Sequence, residues 1–276
     1  MLYMKRFEYK SVNVWLVVSL VLGVCLLSLI CYEFIVCKNQ QVGVSLWDVM
    51  TSLSTLLAVV AAFMAYRQSQ RTRQQASFDA VFAQLLNGLL SFVNNPALQK
   101  IRLNEPANVV DINQYGAKMS VCIKDTLGKI RKCNAYLGFC RLYKEVSSHN
   151  GNRCFTLSDI KQIWGMYSEA LIYKAVFQNC FKYIYHMVDA VVNSSLDKDE
   201  KKRYIGIIQA QLNLDILFCY FINQIVMNGD AVSEFTKILK EYDFFKNLFE
   251  DHIGYGKYIA DTVPYQYYEC FRGESK

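Results

Sequence analysis

The distribution of apolar and charged positions divides the chain into two regimes. From Ser11 to Tyr32 run 22 residues without a charge, SVNVWLVVSLVLGVCLLSLICY. About 20 apolar residues suffice to carry a helix across a hydrocarbon core of ~30 Å. Trp15 and Tyr32 stand near the two ends of the run, where amphipathic rings favour the headgroup level. Lys5, Arg6 and Lys10 precede it, as they would a secretory signal. The apolar stretch is too long for a signal core, however, and no small-residue cleavage site follows.

A second run, LWDVMTSLSTLLAVVAAFMAY, extends from Leu46 to Tyr66 with Asp48 as its only charge. A buried core helix is the alternative, but Arg67, Arg71 and Arg73 follow at once, while the intervening loop from Cys37 to Ser45 holds only Lys38. The positive-inside rule then puts Lys5, Arg6 and Lys10 on the same, cytoplasmic side as the three arginines. The pattern predicts an N-terminal two-helix transmembrane hairpin within 1–73, with spans at about 11–34 and 46–66 and both termini in the cytoplasm. Small residues recur at four-residue spacing, Ser19 and Gly23 on the first span and Ser54, Ala58 and Ala62 on the second. Such ridges let backbones approach, either within the hairpin or against a second subunit.

Beyond Arg73 the period becomes that of amphipathic helices. Phe78, Phe82, Leu85, Leu86, Leu89 and Leu90 form one stripe on a helix that continues the second span and stops before Pro96. Further helices are predicted from about Asn113 to Ser147, from a cap at Thr156 or Ser158 to Asn193, from Arg203 to Val226 and from Asp230 to Glu250. Gln209, Gln211, Asn213 and Asp215 are too dense for a third span, so 203–226 reads as a buried core helix ended by Asn228 and Gly229. The expected fold is all-α: the hairpin, a cytoplasmic helical bundle over 74–250 for sensing or interaction, and an aromatic C-terminal tail over 251–276.

Composition agrees with a membrane-attached helical protein. Apolar residues make up 53%, above the roughly 45–50% of soluble chains. Only 3 Pro and 13 Gly occur, too few for a turn-rich β fold. The 10 Cys include no C-x-x-C pair, which argues against a disulfide scaffold or zinc module and for packed thiols in a reducing compartment. Cys37, on the outer side in this topology, could cross-link two subunits.

Candidate chemistry is sparse. The three His, at 149, 186 and 252, have no neighbours at metal-ligand spacing, and no phosphate loop, nucleophile elbow or kinase signature occurs. No metal, cofactor or small-molecule substrate is expected, and an enzyme is disfavoured. A nuclease assembled from distant residues would leave no local motif. The most basic face belongs to the 113–147 helix, which carries Lys118, Lys124, Lys129, Arg131, Lys132, Arg141 and Lys144 against Asp125 and Glu145. It reads as a solvated face or one held near anionic lipid, with nucleic-acid phosphate as the sharper alternative.

Two blocks carry a family resemblance. One is SFDAVFAQLLNGLLSFVNN, with Phe78, Phe82, Leu85 and Leu86 at matching places. The other is YIGIIQAQLNLDILFCYFIN, with Tyr204, Ala210, Gln211, Leu212 and Asn223, flanked by FKYIYHMV and EYDFFKNL. With its two spans, the chain resembles the phage abortive infection proteins, an AbiC-like membrane family. Family members tend to have Ser after A-Q-L and Glu three residues on, where this chain has Asn213 and Ile216, with Asp215 beside the latter. Gln211 and Asn223 would be explained by hydrogen bonds between helices. The resemblance implies an antiphage effector in the bacterial inner membrane that damages the cell when its cytoplasmic domain is triggered, or a membrane tether for another defence-operon protein. The chain is also similar to two-span effectors encoded beside retron reverse transcriptases, which implies a reverse transcriptase with its RNA and DNA product as partner. Membrane lipid and self-association complete the expected partners.

Overall fold

The computed structural model describes residues 46–100, 117–151, 153–172, 174–229 and 232–273, together with Gly23, Cys25, Ile30 and Tyr32. The described residues form helices and no strands, in agreement with the all-α expectation. They divide into two units, 1–73 and 74–276.

In the first unit Gly23, Cys25, Ile30 and Tyr32 are helical. The rest of the first predicted span, including Ser19, lies outside the described residues, as do Lys5, Arg6, Lys10 and Cys37. The hairpin is therefore not among the described features. The second predicted span is the start of helix α1 (Leu46–Val93), whose Met50–Val93 stretch is long and apolar enough to cross a membrane. Trp47, Leu56, Val59, Phe63 and Tyr66 are all exposed on it. A helix apolar around its circumference is at home only inside a core or in lipid. From Trp47 to Tyr66 it rises about 28 Å at 1.5 Å per residue, close to the hydrocarbon thickness. Its hydroxyls are satisfied by the helix itself: Thr51 Oγ1 donates to the Trp47 carbonyl at 2.6 Å and Thr55 Oγ1 to that of Thr51 at 2.8 Å. Ser54, Ala58 and Ala62 are exposed, as are Arg67, Arg71 and Arg73, and the Arg67 guanidinium caps the Phe63 ring at 5.1 Å.

The second unit is built around one helix. After the short α2 (Pro96–Gln99) come α3 (Ala117–Lys129), a 3-10 turn (Ile130–Lys132), α4 (Ala135–His149), α5 (Leu157–Ala170), α6 (Lys174–Val192), α7 (Lys198–Ala210) and α8 (Leu214–Asn228). Helices α9 (Glu234–Glu241), α10 (Lys246–Phe249), α11 (Tyr255–Thr262) and α12 (Tyr265–Glu269) follow. In α8 every residue from Ile216 to Ile222 is buried, and α4, α5 and α10 pack around it. Its neighbours meet it with aromatic rings: Phe218 lies 5.3 Å from Tyr143, and Phe221 lies 5.4 Å from both Phe245 and Phe249.

Four of the predicted helices are each two. The 113–147 helix breaks at Asn134, whose side chain caps α4 through the Leu137 amide at 2.8 Å. The 156–193 helix begins as expected, with Thr156 and Asp159 in a reciprocal capping box, but breaks at Leu171. The 203–226 helix bends by 112° between α7 and α8, where Asn213 caps α8. The 230–250 segment turns at Asp243, whose φ of 52° suits a short polar side chain. Each break lets a stripe that a straight helix would point outwards turn back onto the core. The aromatic tail, too, is folded: Tyr255, Ile259, Val263, Tyr267 and Phe271 are core residues.

The eight described cysteines are free thiols. Burial pushes the Cys180 thiol up to about 11 and lifts the Tyr143, Tyr167 and Tyr220 phenols well above their ordinary range. An unfolded tyrosine ionises near pH 10. The stabilisation from keeping these phenols neutral is fully present below that pH and is lost as pH rises towards the raised native values, since above pH 10 only the unfolded state sheds the protons. Alkaline titration followed by tyrosinate absorbance and helix circular dichroism should show a final, cooperative tyrosinate step that coincides with helix loss. A gradual titration completed with the helices intact would contradict this.

Candidate functional site: the aromatic dock of the long helix

The C-terminal half of α1 buries the stripe that the sequence assigns to it. Phe82 is 5% exposed and Leu89 fully buried, with Phe78, Leu85, Leu86 and Phe92 packed at the margin. The opposing surface comes from α6 and α7. Tyr204 on α7 meets Phe78 edge-on at 5.1 Å and Phe82 at 4.8 Å, and its hydroxyl donates to Asp79 Oδ1. Such edge-to-face pairs contribute about 0.5–1.5 kcal/mol each beyond their buried area. Burial and the Asp79 hydrogen bond both raise the Tyr204 phenol, so it stays a neutral donor. The Arg203 guanidinium lies over the Tyr204 ring at 5.1 Å, closing the dock on its outer side.

Nearly two turns beyond Phe82 on α1, Gly88 faces Tyr183 of α6 so closely that a Cβ would overlap the phenol ring. Phe92 then packs on the same ring at 5.2 Å. A glycine inside a helix costs roughly 1 kcal/mol relative to alanine, and here close approach of the tyrosine is the compensation. Phe78, Phe82 and Tyr204, quoted from two distant sequence blocks, are thus brought into one contact. Asp79, Gly88 and Tyr183 complete it without having been singled out. A lone glycine in an apolar helical stripe is the signal that could have pointed to Gly88.

The other predicted residues are placed apart. Ala210, Gln211 and Leu212 form the elbow between α7 and α8, with Leu212 buried and Gln211 at the helix end. Neither Gln211 nor Asn223 hydrogen-bonds between helices among the described residues. That task falls to Gln209, whose Nε2 donates to the carbonyls of Asp243 at 2.9 Å and Phe244 at 2.6 Å. Asp215, in the first turn of α8, accepts from the Tyr255 hydroxyl and so ties α11 to the central helix. Lys144 Nζ sits over the same Tyr255 ring at 4.4 Å.

The break at Asn134 puts Arg141 and Lys144 on α4, apart from the rest of the predicted basic face on α3 and the 3-10 turn. Lys129 ends α3 and Lys132 lies in the 3-10 turn, both exposed. For Lys118, Lys124 and Arg131 the helical backbone alone is described. No group of three His, Cys, Asp or Glu side chains among the described residues could hold a metal ion.

The surface that receives α1 is also the part of the chain with a family signature. Residues 173–253 match a family model described as "Putative phage abortive infection protein". This is the family that the two sequence blocks resemble, and its description points to a role in phage abortive infection. The match covers α6 to α10, and hence Tyr183, Tyr204 and the elbow, while Phe78 and Phe82 lie outside it. No curated protein and no solved structure matches the chain.

Removing the Phe82 ring should destabilise the dock by about 3 kcal/mol, as for other buried phenylalanines. Gly88→Leu should displace Tyr183 and loosen the same contact. In hydrogen exchange on the full chain in detergent, both variants should lose protection over 78–93 while α8 keeps its own. Equal loss of protection in α8 would show that the dock is no separable unit.

Proposed function

We propose that the protein is a membrane-anchored antiphage effector of the bacterial inner membrane, with both termini cytoplasmic, whose activation changes the docking of α1 on α6 and α7. The observation that carries this reading is the continuity of α1. One unbroken helix of 48 residues exposes apolar side chains along its first half and docks on the family-matching segment with its second. Loss of the Phe78 and Phe82 contacts with Tyr204 would free this part of the helix to rotate or shift. The description of the matching family supports abortive infection as the setting. The Ser54, Ala58 and Ala62 ridge supplies a surface along which released helices could associate in lipid.

The test is single-cell membrane potential together with plaque counts in bacteria carrying the full-length protein. Phe82→Ala combined with Tyr204→Ala should depolarise cells without phage, and Ala58→Leu added to this pair should suppress the effect at equal membrane abundance. Wild-type cells should depolarise only after phage challenge. Phage resistance with membrane potential intact would overturn the effector reading and assign the hairpin segment a tethering role for a defence partner.

A further inference from the structure

A large cavity lies at neither the dock nor the elbow. It is a groove of about 1260 Å³ formed by α7, α9, α10, α11 and the C-terminal residues, against about 390 and 550 Å³ for two others. Small-molecule pockets enclose roughly 300–1,000 Å³, so this open groove has room for a stretch of polymer. Six lysines and Arg272 line it, against the carboxylates of Glu241, Asp243 and Glu250. Part of that charge is compensated: Lys198 pairs with Glu241 at 2.8 Å, Lys237 with Glu234 at 2.6 Å, Lys246 with Glu250 at 3.6 Å and Arg272 with Glu269 at 3.7 Å. Lys202 on α7 and Lys257 on α11 are exposed and have no ion-pair partner among the described residues. They therefore leave uncompensated positive charge in a concavity, where the field is focused.

Rings stand among these cations. Tyr242 and Phe249 line the groove but are buried in the core, so Tyr268 is the ring it offers: half-buried, it meets Phe249 edge-on at 4.8 Å and has the Arg272 guanidinium, paired with Glu269 at 3.7 Å, 5.5 Å from its ring. Ring and guanidinium surfaces interleaved with cations are what unstacked bases on a phosphate backbone require. A duplex hides its bases and would be served by charge alone. A flat anionic membrane cannot enter a concavity, and an amphipathic acidic helix would need an aliphatic stripe that the lysine-lined walls do not offer.

We propose that this groove binds single-stranded nucleic acid, with Lys202 and Lys257 on the phosphates and the Tyr268–Arg272 edge against a base. The site is distinct from the dock, and its binding activity stands or falls separately from the membrane-effector reading.

The probe is a fluorescent oligothymidylate or oligouridylate of about 20 nucleotides, long enough to fill the site sizes of ~4–16 nucleotides seen for single-strand grooves. Binding to the full chain in zwitterionic nanodiscs is read by anisotropy. Affinity should fall steeply between about 50 and 200 mM salt, and Lys202→Glu with Lys257→Glu should weaken binding at least ~10-fold. The milder Lys202→Gln with Lys257→Gln should lower the log–log salt slope by about 1.4, at ~0.7 per phosphate contact on a single strand. Lys129→Glu with Lys132→Glu should leave binding unchanged. Absence of binding at the low-salt end, unaltered binding in the Lys202/Lys257 variants, or equal loss in the Lys129/Lys132 variant would overturn the proposal. So would equally strong competition by duplex DNA, polyglutamate or phosphatidylglycerol vesicles. Unchanged thermal melting of the variants ensures that weaker binding reports the groove.

Discussion

The fold of the second unit depends on burying α8 on all sides. Its seven consecutive residues from Ile216 to Ile222 leave no face for water, so neighbours must be supplied around its whole circumference. A single straight antiparallel partner could cover only one stripe. The chain meets the requirement by bending: at Asn134, Leu171, Gln211–Asn213 and Asp243 it changes direction so that successive short helices reach different sides of α8. Large rings then fill the wedges left between helices that cross at different angles. This accounts for a core populated by Phe139, Tyr143, Phe177, Phe218, Phe221 and Phe245 rather than by leucines alone.

Within that frame α7 has two duties. Tyr204 looks towards α1, whereas Lys198 and Lys202 line the basic groove, and Gln209 bonds the turn at Asp243 that forms another part of the groove wall. A residue two positions along a helix points about 200° away, so Lys202 and Tyr204 occupy opposite sides as a matter of geometry. Asp215 and Lys144 add a second connection by clamping Tyr255, which draws the C-terminal helices into the same core.

The segment matched by the abortive infection family model includes the dock surface, the elbow and much of the groove wall. Within it, Ala210-Gln211-Leu212 is the bend itself. At this corner Gln211 ends one helix, Leu212 is buried and Asn213 caps the next. The groove, by contrast, escaped the reading of the sequence, because its lysines are spread from Lys198 to Lys257 and form no run. The basic cluster that is a run, around Lys129 and Lys132, lies at the end of α3 and in the following 3-10 turn.

The sequence alone determined the helical class, the long apolar start of α1, the stripe of Phe78, Phe82 and Leu89, the Thr156 cap and the Gly229 terminus. These are properties of neighbours along the chain: hydrophobic period, capping side chains and a glycine at φ 56° act within a few residues. Tertiary structure alone decided that Tyr204 meets Phe82, that Asp215 serves Tyr255, and that lysines from four segments face one groove. Those contacts depend on where each helix bends, and the bends are set by competition among long-range burial demands. A continuous apolar period conceals that competition, since it reads the same whether the helix is straight or broken by 112°.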